Sequence, residues 1–560
     1  MESSPRQRQT APPAYLSGLF RFLRKVRRYV RRRTARLGGA GSTRPEFSPG
    51  GVHPLVALVN GSGNASYVDH TPWNHPFLTR ENLTAFRTYG ECVWDYVRDY
   101  VERKPAPSPR MGFTNNLAQN LYNWGRLLSQ RGADVTLIPD PQDQMALSCP
   151  EWEEYDGEWE DIFDGPEFLA SCDARAQTPV VRMRHSDLGS LAALREFAAG
   201  DRTRLMALMQ AAPTVRFLEL QLFRQCGALT GLAAELGRYD VLCAQSTPVT
   251  SYFSGRPFSS LYVGGDLQHD CGRGDWYGRL MHYAFGRSRF LFVGGPDGIA
   301  YCRRLGLTNA VFFPTPVDTA RYSPGPGAAR QRWTEETGKT CFVLTTARID
   351  AGVKGNGVEL IATLEDVARR FPQVCFVFLK WGNDREQLAE RLSKSPHRDS
   401  FLLLPPVGKR RLIDYYRSAD VVLDQFVYGY YGMTGFETAA VGKPIVINLR
   451  KEHYAPLYDG DVMPANRAAT RGEIAEQLTR LIPNPRYREQ QGRKMREWAL
   501  RNHNDSTNVE RLHQMLQFTA RNVSIPKLAV ANPLTADFTN AERDYHENVC
   551  RVRKSIKAAA

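Results

Sequence analysis

The sequence predicts an α/β protein of two doubly wound domains. Three observations carry that expectation. The chain has 560 residues, too many for one ordinary core, and 42% of them are hydrophobic, as in a globular protein. Its second half alternates short apolar runs with amphipathic helical stretches, the pattern of repeated βα units. Its first half carries further apolar runs, among them Asp240 to Ala244 and Phe290 to Val293, that read as strands of a parallel sheet.

Residues 1–50 form a separate arm. Between Glu2 and Glu46 there is no acidic residue, while Arg21, Arg24, Lys25, Arg27, Arg28, Arg31, Arg32, Arg33 and Arg36 crowd one short segment. Tyr15 to Leu37 reads as a helix, because Leu16, Leu19, Phe20, Leu23, Val26 and Val30 recur every three or four residues between the arginines. A basic amphipathic helix of this kind suits an anionic membrane surface. A cleaved acid-poor transit peptide, a nucleic-acid arm and a disordered basic tail stay open for the same residues. The reading preferred is the membrane surface, and nucleic acid is not expected as a partner.

Residues 51–326 are read as the first domain. After a strand at Leu55 to Val59, Gly61-Ser62-Gly63 looks like a phosphate loop, but it lacks the Walker lysine and a following helix and reads as a turn. Pro105, Pro107 and Pro109 leave the next strand poorly formed. A helix follows over Asn115 to Gln130, capped at Arg131-Gly132, and then a strand over Asp134 to Ile138. Glu151, Glu153, Glu154, Asp156, Glu158, Glu160, Asp161 and Asp164, interleaved with Trp152 and Trp159, read as a solvated acidic face, not a metal site. Strands recur at Asp240 to Ala244, Ser259 to Val263, Phe290 to Val293 and Val311 to Phe313, with helices between them.

Pro and Gly persist to about Gly327, which sets the boundary to a second domain over residues 327–517. Its strands are Thr340 to Thr346, Val374 to Leu379, Phe401 to Leu404, Val421 to Leu423 and Ile445 to Asn448. Helices are expected over Gly357 to Phe371, Asp384 to Leu392, Lys409 to Ser418 and from Glu437 onward. Residues 518–560 are a polar, basic tail. Thr337-Gly338-Lys339-Thr340 only imitates a Walker motif, since the strand follows it.

In a doubly wound sheet ligands bind outside the strand C-termini, and two segments of interest fall there. Arg348-Ile349-Asp350-Ala351-Gly352-Val353-Lys354-Gly355 places two permanent cations and a glycine between a strand and a helix start, a ready diphosphate site. Taken alone, an Arg/Lys pair on such a loop is more often surface charge. The second segment is Ala419-Asp420-Val421-Val422-Leu423-Asp424, then Gly429-Tyr430-Tyr431-Gly432-Met433-Thr434-Gly435-Phe436-Glu437 and Ala440-Val441-Gly442-Lys443-Pro444-Ile445-Val446. It reads as strand, Gly-rich loop, helix, strand.

With both segments in hand, the chain from about Met111 to about Gln517 resembles the GT-B glycosyltransferases of family 4, retaining enzymes that use nucleotide sugars. The resemblance implies two Rossmann-like domains facing a cleft, with no metal and no cofactor beyond the UDP- or GDP-sugar donor. It implies that Arg348 and Lys354 hold the donor diphosphate and that Glu437 holds the ribose hydroxyls. Gly355, Val407, Gly432, Met433 and Thr434 fall at the family's other nucleotide contacts. Gly264-Gly265-Asp266-Leu267-Gln268-His269-Asp270 is similar to the segment that faces the donor sugar, so Asp266 is the leading candidate for a sugar or acceptor contact and His269 the second. Pro314-Thr315-Pro316-Val317-Asp318 resembles the interdomain crossing, and the last helix and tail are expected to return to the first domain. One residue departs from the pattern: Gly429 stands where a first motif glutamate usually faces the donor.

These features imply a hexosyltransferase-like enzyme moving sugar to a glycan or lipid-linked acceptor, as in polysaccharide biosynthesis. A catalytically inactive scaffold of the same fold, binding anionic membrane or nucleic acid through the arm, is the alternative, and Gly429 keeps it open. The formal net charge of +14 implies an anionic partner. Ten scattered cysteines without a C-x-x-C pair suggest buried free thiols in a reducing compartment, and with it a cytoplasmic, peripherally membrane-associated protein. Sequons such as Asn60-Gly-Ser62, Asn64-Ala-Ser66 and Asn522-Val-Ser524 are then chance matches. No apolar run approaches the ~18 to 20 residues of a spanning helix.

Overall fold

Twelve parallel strands form two separate sheets of six. The computed structural model describes residues 72–139, 145–182 and 235–547, apart from 247, 272–275, 353 and 546. The expected arm helix, the strand at Leu55 to Val59 and the Gly61-Ser62-Gly63 turn lie outside the described residues. No helix among the described residues is long and apolar enough to cross a membrane.

The first sheet comprises β1 (Met111–Thr114), β2 (Val135–Ile138), β3 (Val241–Gln245), β4 (Phe258–Leu261), β5 (Leu291–Val293) and β6 (Ala310–Phe312), in the order β2-β1-β3-β4-β5-β6. The second comprises β7 (Cys341–Thr345), β8 (Val374–Leu379), β9 (Phe401–Leu404), β10 (Val421–Leu423), β11 (Ile445–Ile447) and β12 (Asn466–Arg467), in the order β12-β11-β10-β7-β8-β9. Successive strands run outward from β7 on one side and from β10 on the other, so the crossovers reverse between β7 and β10. That reversal opens a crevice at the strand C-termini.

Two expectations in the first half are corrected. The prolines at 105, 107 and 109 precede β1 and do not interrupt it; β1 is wholly buried and pairs with β2 on one side and β3 on the other. The helix expected over Asn115 to Gln130 begins only at Asn120 and ends at Ser129. Asn115, Ala118 and Gln119 take positive φ of 67°, 55° and 63°, which no helix accommodates. Side-chain bonds hold this turn: Asn116 Oδ1 accepts from the Tyr122 N–H at 2.8 Å, and Gln119 Nε2 donates to Leu147 O at 2.7 Å and Cys149 O at 2.8 Å.

Apolar burial joins the halves. One cluster runs from Leu291 and Phe312 on the first sheet through Tyr322 and Tyr458 to Val422 and Ile445 on the second. The chain leaves the first sheet at Thr315 to Asp318 and returns beside it at His503, where the Val317 N–H donates to His503 O at 3.0 Å and the His503 ring bonds Thr315 O through Nδ1 at 2.9 Å. Burial pushes His503 down to about 4, so the ring is neutral near pH 7. No disulfide joins the described cysteines, all buried but Cys92.

The helix Asp505–Ala520 lies against the first sheet and the helix Arg80–Arg103, with Phe518 edge-on to Tyr96 and Tyr100. Beyond it the tail is pinned by Arg303, which donates to both Glu542 oxygens at 2.8 and 3.1 Å, to Leu534 O at 3.1 Å and to Asp537 O at 3.0 Å. Burial works to raise the Glu542 pKa, but the bonds from Arg303 and the Thr539 N–H outweigh it and hold it at about 2. A carboxylate depressed in this way stabilises the fold above its unfolded pKa, and the contribution fades as pH falls toward the folded value. Glu542→Gln is therefore expected to lower unfolding free energy by about 1.5 to 3 kcal/mol near neutral pH. The gap from wild type should narrow as pH falls from about 5 toward 3. Denaturant titrations of both proteins at several pH values measure it; a gap that does not change with pH would count against the ion pair as its source.

Candidate active site

Two loops meet at the crevice between β7 and β10. After β7, Asp350 O accepts from the N–H groups of Lys354 at 2.8 Å and Gly355 at 3.1 Å, a tight turn that Gly355 completes with φ of 72°. After β10, the Phe426 N–H donates to Lys354 O at 2.7 Å. A Cβ on Gly355 would come within 3.3 Å of the Val427 nitrogen. Glycine lets the two loops close on one another.

This packing brings Arg348 and Lys354 to one edge. The Arg348 side chain is 42% exposed, its nearest acid is Asp350 at 3.8 Å, and its Nε makes no hydrogen bond among the described residues. Lys354 Nζ donates to Gln425 Oε1 at 2.6 Å. Burial, with Arg348 alongside, lowers the Lys354 pKa, while Asp424 and Asp350 work against that shift. Asp424 is buried, its Oδ2 has no hydrogen-bond partner among the described residues, and burial pushes its pKa up to about 6 against the pull of Lys354. Removal from water weakens the charged form of both groups, and each supports the other.

The helix expected to open at Glu437 runs instead over Met433–Val441. It opens at Gly432, where even a Cβ would meet nothing within 4 Å among the described residues, so the first turn stands open. The helix N-terminus of Gly432, Met433 and Thr434 thus presents backbone N–H groups at the strand C-termini, near Thr346 beyond β7, whose Oγ1 lies 3.4 Å from Thr434 Oγ1. Two cations and a helix N-terminus converge on one crevice, which suits an anion.

Glu437 consequently sits in the second helical turn and is buried. Its Oε1 accepts from Lys409 Nζ at 2.5 Å and its Oε2 from Tyr416 OH at 3.0 Å. Each oxygen keeps a lone pair for one further donor. Val407 is also buried, and its backbone pairs with Glu158 in an isolated antiparallel bridge.

That bridge belongs to the acidic segment, whose expected solvated face is half corrected. Asp156, Glu158 and Glu160 are exposed, but Glu151, Glu153 and Glu154 are buried. Glu154 accepts from Tyr122 OH at 2.9 Å, Arg321 Nη1 at 3.0 Å and Arg410 Nη2 at 3.2 Å, tying the first half to the helix Lys409–Ser418 of the second. Glu153 accepts from Tyr322 OH at 3.0 Å; burial raises its pKa while Arg321 and Lys409 oppose. Buried carboxylates stay charged only with such partners.

The first sheet contributes the facing wall. Tyr262 OH, just after β4, donates to Asp297 Oδ2 at 2.9 Å, and both groups lie close enough to Tyr430 to act on it electrostatically. Gln268 hydrogen-bonds Tyr428, which stacks on Tyr430 at 5.2 Å. Asp266 behaves differently from the expected sugar contact. Its carboxylate accepts from the N–H groups of Val263, Gly264 and Leu267 at 3.3, 3.1 and 2.9 Å, and burial pushes its pKa up to about 7. It shapes the turn that carries Gln268 to Tyr428, and His269 is half-buried beside Gly265.

Two six-stranded parallel sheets, facing one another at their C-terminal loops, are now complete. The fold is GT-B. No protein-family model matches the sequence, and no curated protein matches it. Among solved structures, HepE of Anabaena in complex with UDP-glucose is similar at 12% identity over 73% of this chain and 99% of its own, with a TM-score of 0.49. Sucrose-phosphate synthase of Thermosynechococcus elongatus is similar at 13% identity over 74% of this chain and 99% of its own, with a TM-score of 0.49. A glycosyltransferase of Rickettsia africae shares 9% identity over 75% of this chain and 100% of its own, with a TM-score of 0.46.

Within the GT-B cleft, sequence reasoning had reached Arg348, Lys354 and Glu437. It passed over Lys409, Tyr416, Asp424 and Gln425, the groups that contact them. Asp424 and Gln425 carried a signal: two polar residues ending a fully apolar strand, at a sheet's C-terminal edge.

Proposed function

We propose that this protein is a glycosyltransferase that takes sugar from a nucleoside-diphosphate sugar, UDP- or GDP-linked. The observation that carries this reading is the convergence of Arg348, Lys354 and the Gly432 to Thr434 helix start at the β7/β10 crevice. Breaking the bond between the anomeric carbon and the diphosphate leaves negative charge on the departing oxygen. Arg348 offers a planar fork to two phosphate oxygens and Lys354 a point charge. Fixed charges aimed where charge develops lower the barrier directly, and these two supply positive charge without a divalent metal. On this reading Glu437 accepts from the ribose hydroxyls, Lys409 and Tyr416 hold its carboxylate in place, and Val407 borders the nucleoside.

The finer proposal is a retaining, hexosyltransferase-like enzyme of family 4 type, acting on a glycan or lipid-linked acceptor at the cytoplasmic face of a membrane, with residues 15–37 as its contact with anionic lipid. The inactive-scaffold alternative leaned on Gly429. A Cβ at 429 would meet Arg450 Cγ at 2.4 Å and Trp73 Cε2 at 3.1 Å, so the glycine has a packing reason independent of activity.

Thermal unfolding in the presence of UDP, GDP or ADP tests the reading. A ligand held only by the folded state adds about 2.7 kcal/mol of stability at a hundred times its Kd. UDP or GDP at millimolar concentration is expected to raise the melting temperature, ADP less. No shift with any of the three would reject the nucleotide-sugar site.

A further inference from the structure

A second pocket lies at the opposite edge of the second sheet. Asp420 and Pro444 stand just before β10 and β11, at the strand N-termini, and with Lys443, Pro324 and one face of the helix Pro485–Asn502 they enclose about 460 Å³. Sites for small organic ligands run from about 300 to 1,000 Å³. The space therefore suits a molecule larger than a bare ion.

The lining is short of negative charge. Asp420 is fully engaged, accepting from Arg330 Nη1 at 3.0 Å, Arg488 Nη2 at 3.2 Å and the Phe342 N–H at 2.9 Å. Glu489 pairs with Arg493 at 2.7 Å, and Glu497 acts on Arg501. Lys443 and Arg496, by contrast, pair with no carboxylate among the described residues. Lys443 Nζ donates to Arg417 O at 2.8 Å, and Arg496 donates to Tyr322 O at 2.9 Å, Ala440 O at 2.6 Å and Thr319 O at 2.9 Å. Carbonyl oxygens orient these two cations without neutralising them. Burial, with Arg330 and Arg488 alongside, lowers the Lys443 pKa against the pull of Asp420, a pressure that an anion beside the ammonium relieves. The helix Pro485–Asn502 begins at the pocket with no acid in its first turn, so its positive end adds to the same field.

Two cations without counter-ions match a phosphate monoester, which carries about −1.5 to −2 at pH 7. Lys443 has two N–H groups left to donate. At the rim Arg493 and Glu489 are 62% and 69% exposed by side chain, so their pair is weak and each can turn to a ligand, the guanidinium to phosphate and the carboxylate to hydroxyls. We infer that this pocket binds a sugar phosphate, a small polyhydroxy phosphate monoester, at a site separate from the β7/β10 crevice.

Calorimetric titration of the full chain with mannose 6-phosphate, inorganic phosphate, glycerol 3-phosphate and mannose tests it. Mannose 6-phosphate is expected to bind most tightly and mannose not detectably. Lys443→Gln should weaken mannose 6-phosphate at least about tenfold, the cost of one hydrogen bond to a charged group. Arg493→Glu, on an exposed helix face where folding is insensitive to the change, should weaken it about three- to tenfold by reversing charge at the rim. Lys354→Ala, in the crevice, should leave this affinity within twofold of wild type. The inference is overturned if mannose 6-phosphate does not bind, if either smaller phosphate binds more tightly, if a folded Lys443→Gln and Arg493→Glu both bind it as wild type does, or if Lys354→Ala abolishes its binding. The last result would place the phosphate in the crevice.

Discussion

Lys354→Ala is expected to lower turnover by at least ~100-fold, the usual consequence of removing one fixed donor from a site where negative charge develops. The side chain is held by Gln425 Oε1 at 2.6 Å, so its position is set before substrate arrives and no reorganisation is needed during reaction. Burial already lowers the lysine pKa; a bound diphosphate reverses that pressure, and the pair strengthens as water leaves. In the alanine variant Asp424 loses its opposing cation, and because burial has pushed its pKa to about 6 already, protonation relieves it at modest cost. The fold is therefore expected to persist. Single-turnover rates with circular dichroism as a control measure this. Turnover near wild type in a folded variant would remove Lys354 from the reaction.

Five strands of the second sheet were legible because each is an apolar run bounded by turn residues; the edge strand β12, Asn466–Arg467, is two polar residues and gave no such signal. Val374–Leu379, Phe401–Leu404 and Val421–Leu423 fall where the sequence places them; the first and last are buried on both faces and leave no alternation to misread, and the edge strand Phe401–Leu404, half-buried at alternate residues, is apolar throughout. The Arg348 to Gly355 loop was legible for the same reason, being fixed by the strand before and the helix after it. Long-range electrostatics were not. Glu153 and Glu154 read as solvated because their partners Arg321 and Arg410 lie 167 to 256 residues away, and nothing local marks the pairing. The turn at Asn115 to Gln119 was lost to helix periodicity, because its positive φ values are imposed by side-chain bonds to Leu147, Ser148 and Cys149. Gly429 showed in sequence only as a missing glutamate. Its reason, Arg450 packed into the space, needs coordinates to see.

Lys409→Met should destabilise the protein by about 3 to 5 kcal/mol, the typical result of leaving one partner of a buried ion pair alone. Lys409 is 13% exposed and Glu437 2% by side chain, with 2.5 Å between Nζ and Oε1. Without the lysine, Glu437 keeps only Tyr416 OH as a hydrogen-bond donor among the described residues, and Glu153 nearby adds repulsion. The double variant Lys409→Met/Glu437→Met removes both charges and is expected to recover much of the loss, because an apolar pair of similar volume often replaces a buried ion pair without penalty. Nucleotide binding should separate the two variants from stability. Glu437→Gln preserves size but weakens the acceptor, and should reduce nucleoside-diphosphate affinity by about 1 to 3 kcal/mol; the recovered double variant should show no recovery of that affinity. Chemical denaturation and calorimetry on the three variants decide between the roles. Restored binding in the double variant would mean that Glu437 serves the packing of the helix Lys409–Ser418 on the helix Met433–Val441 and not the ribose.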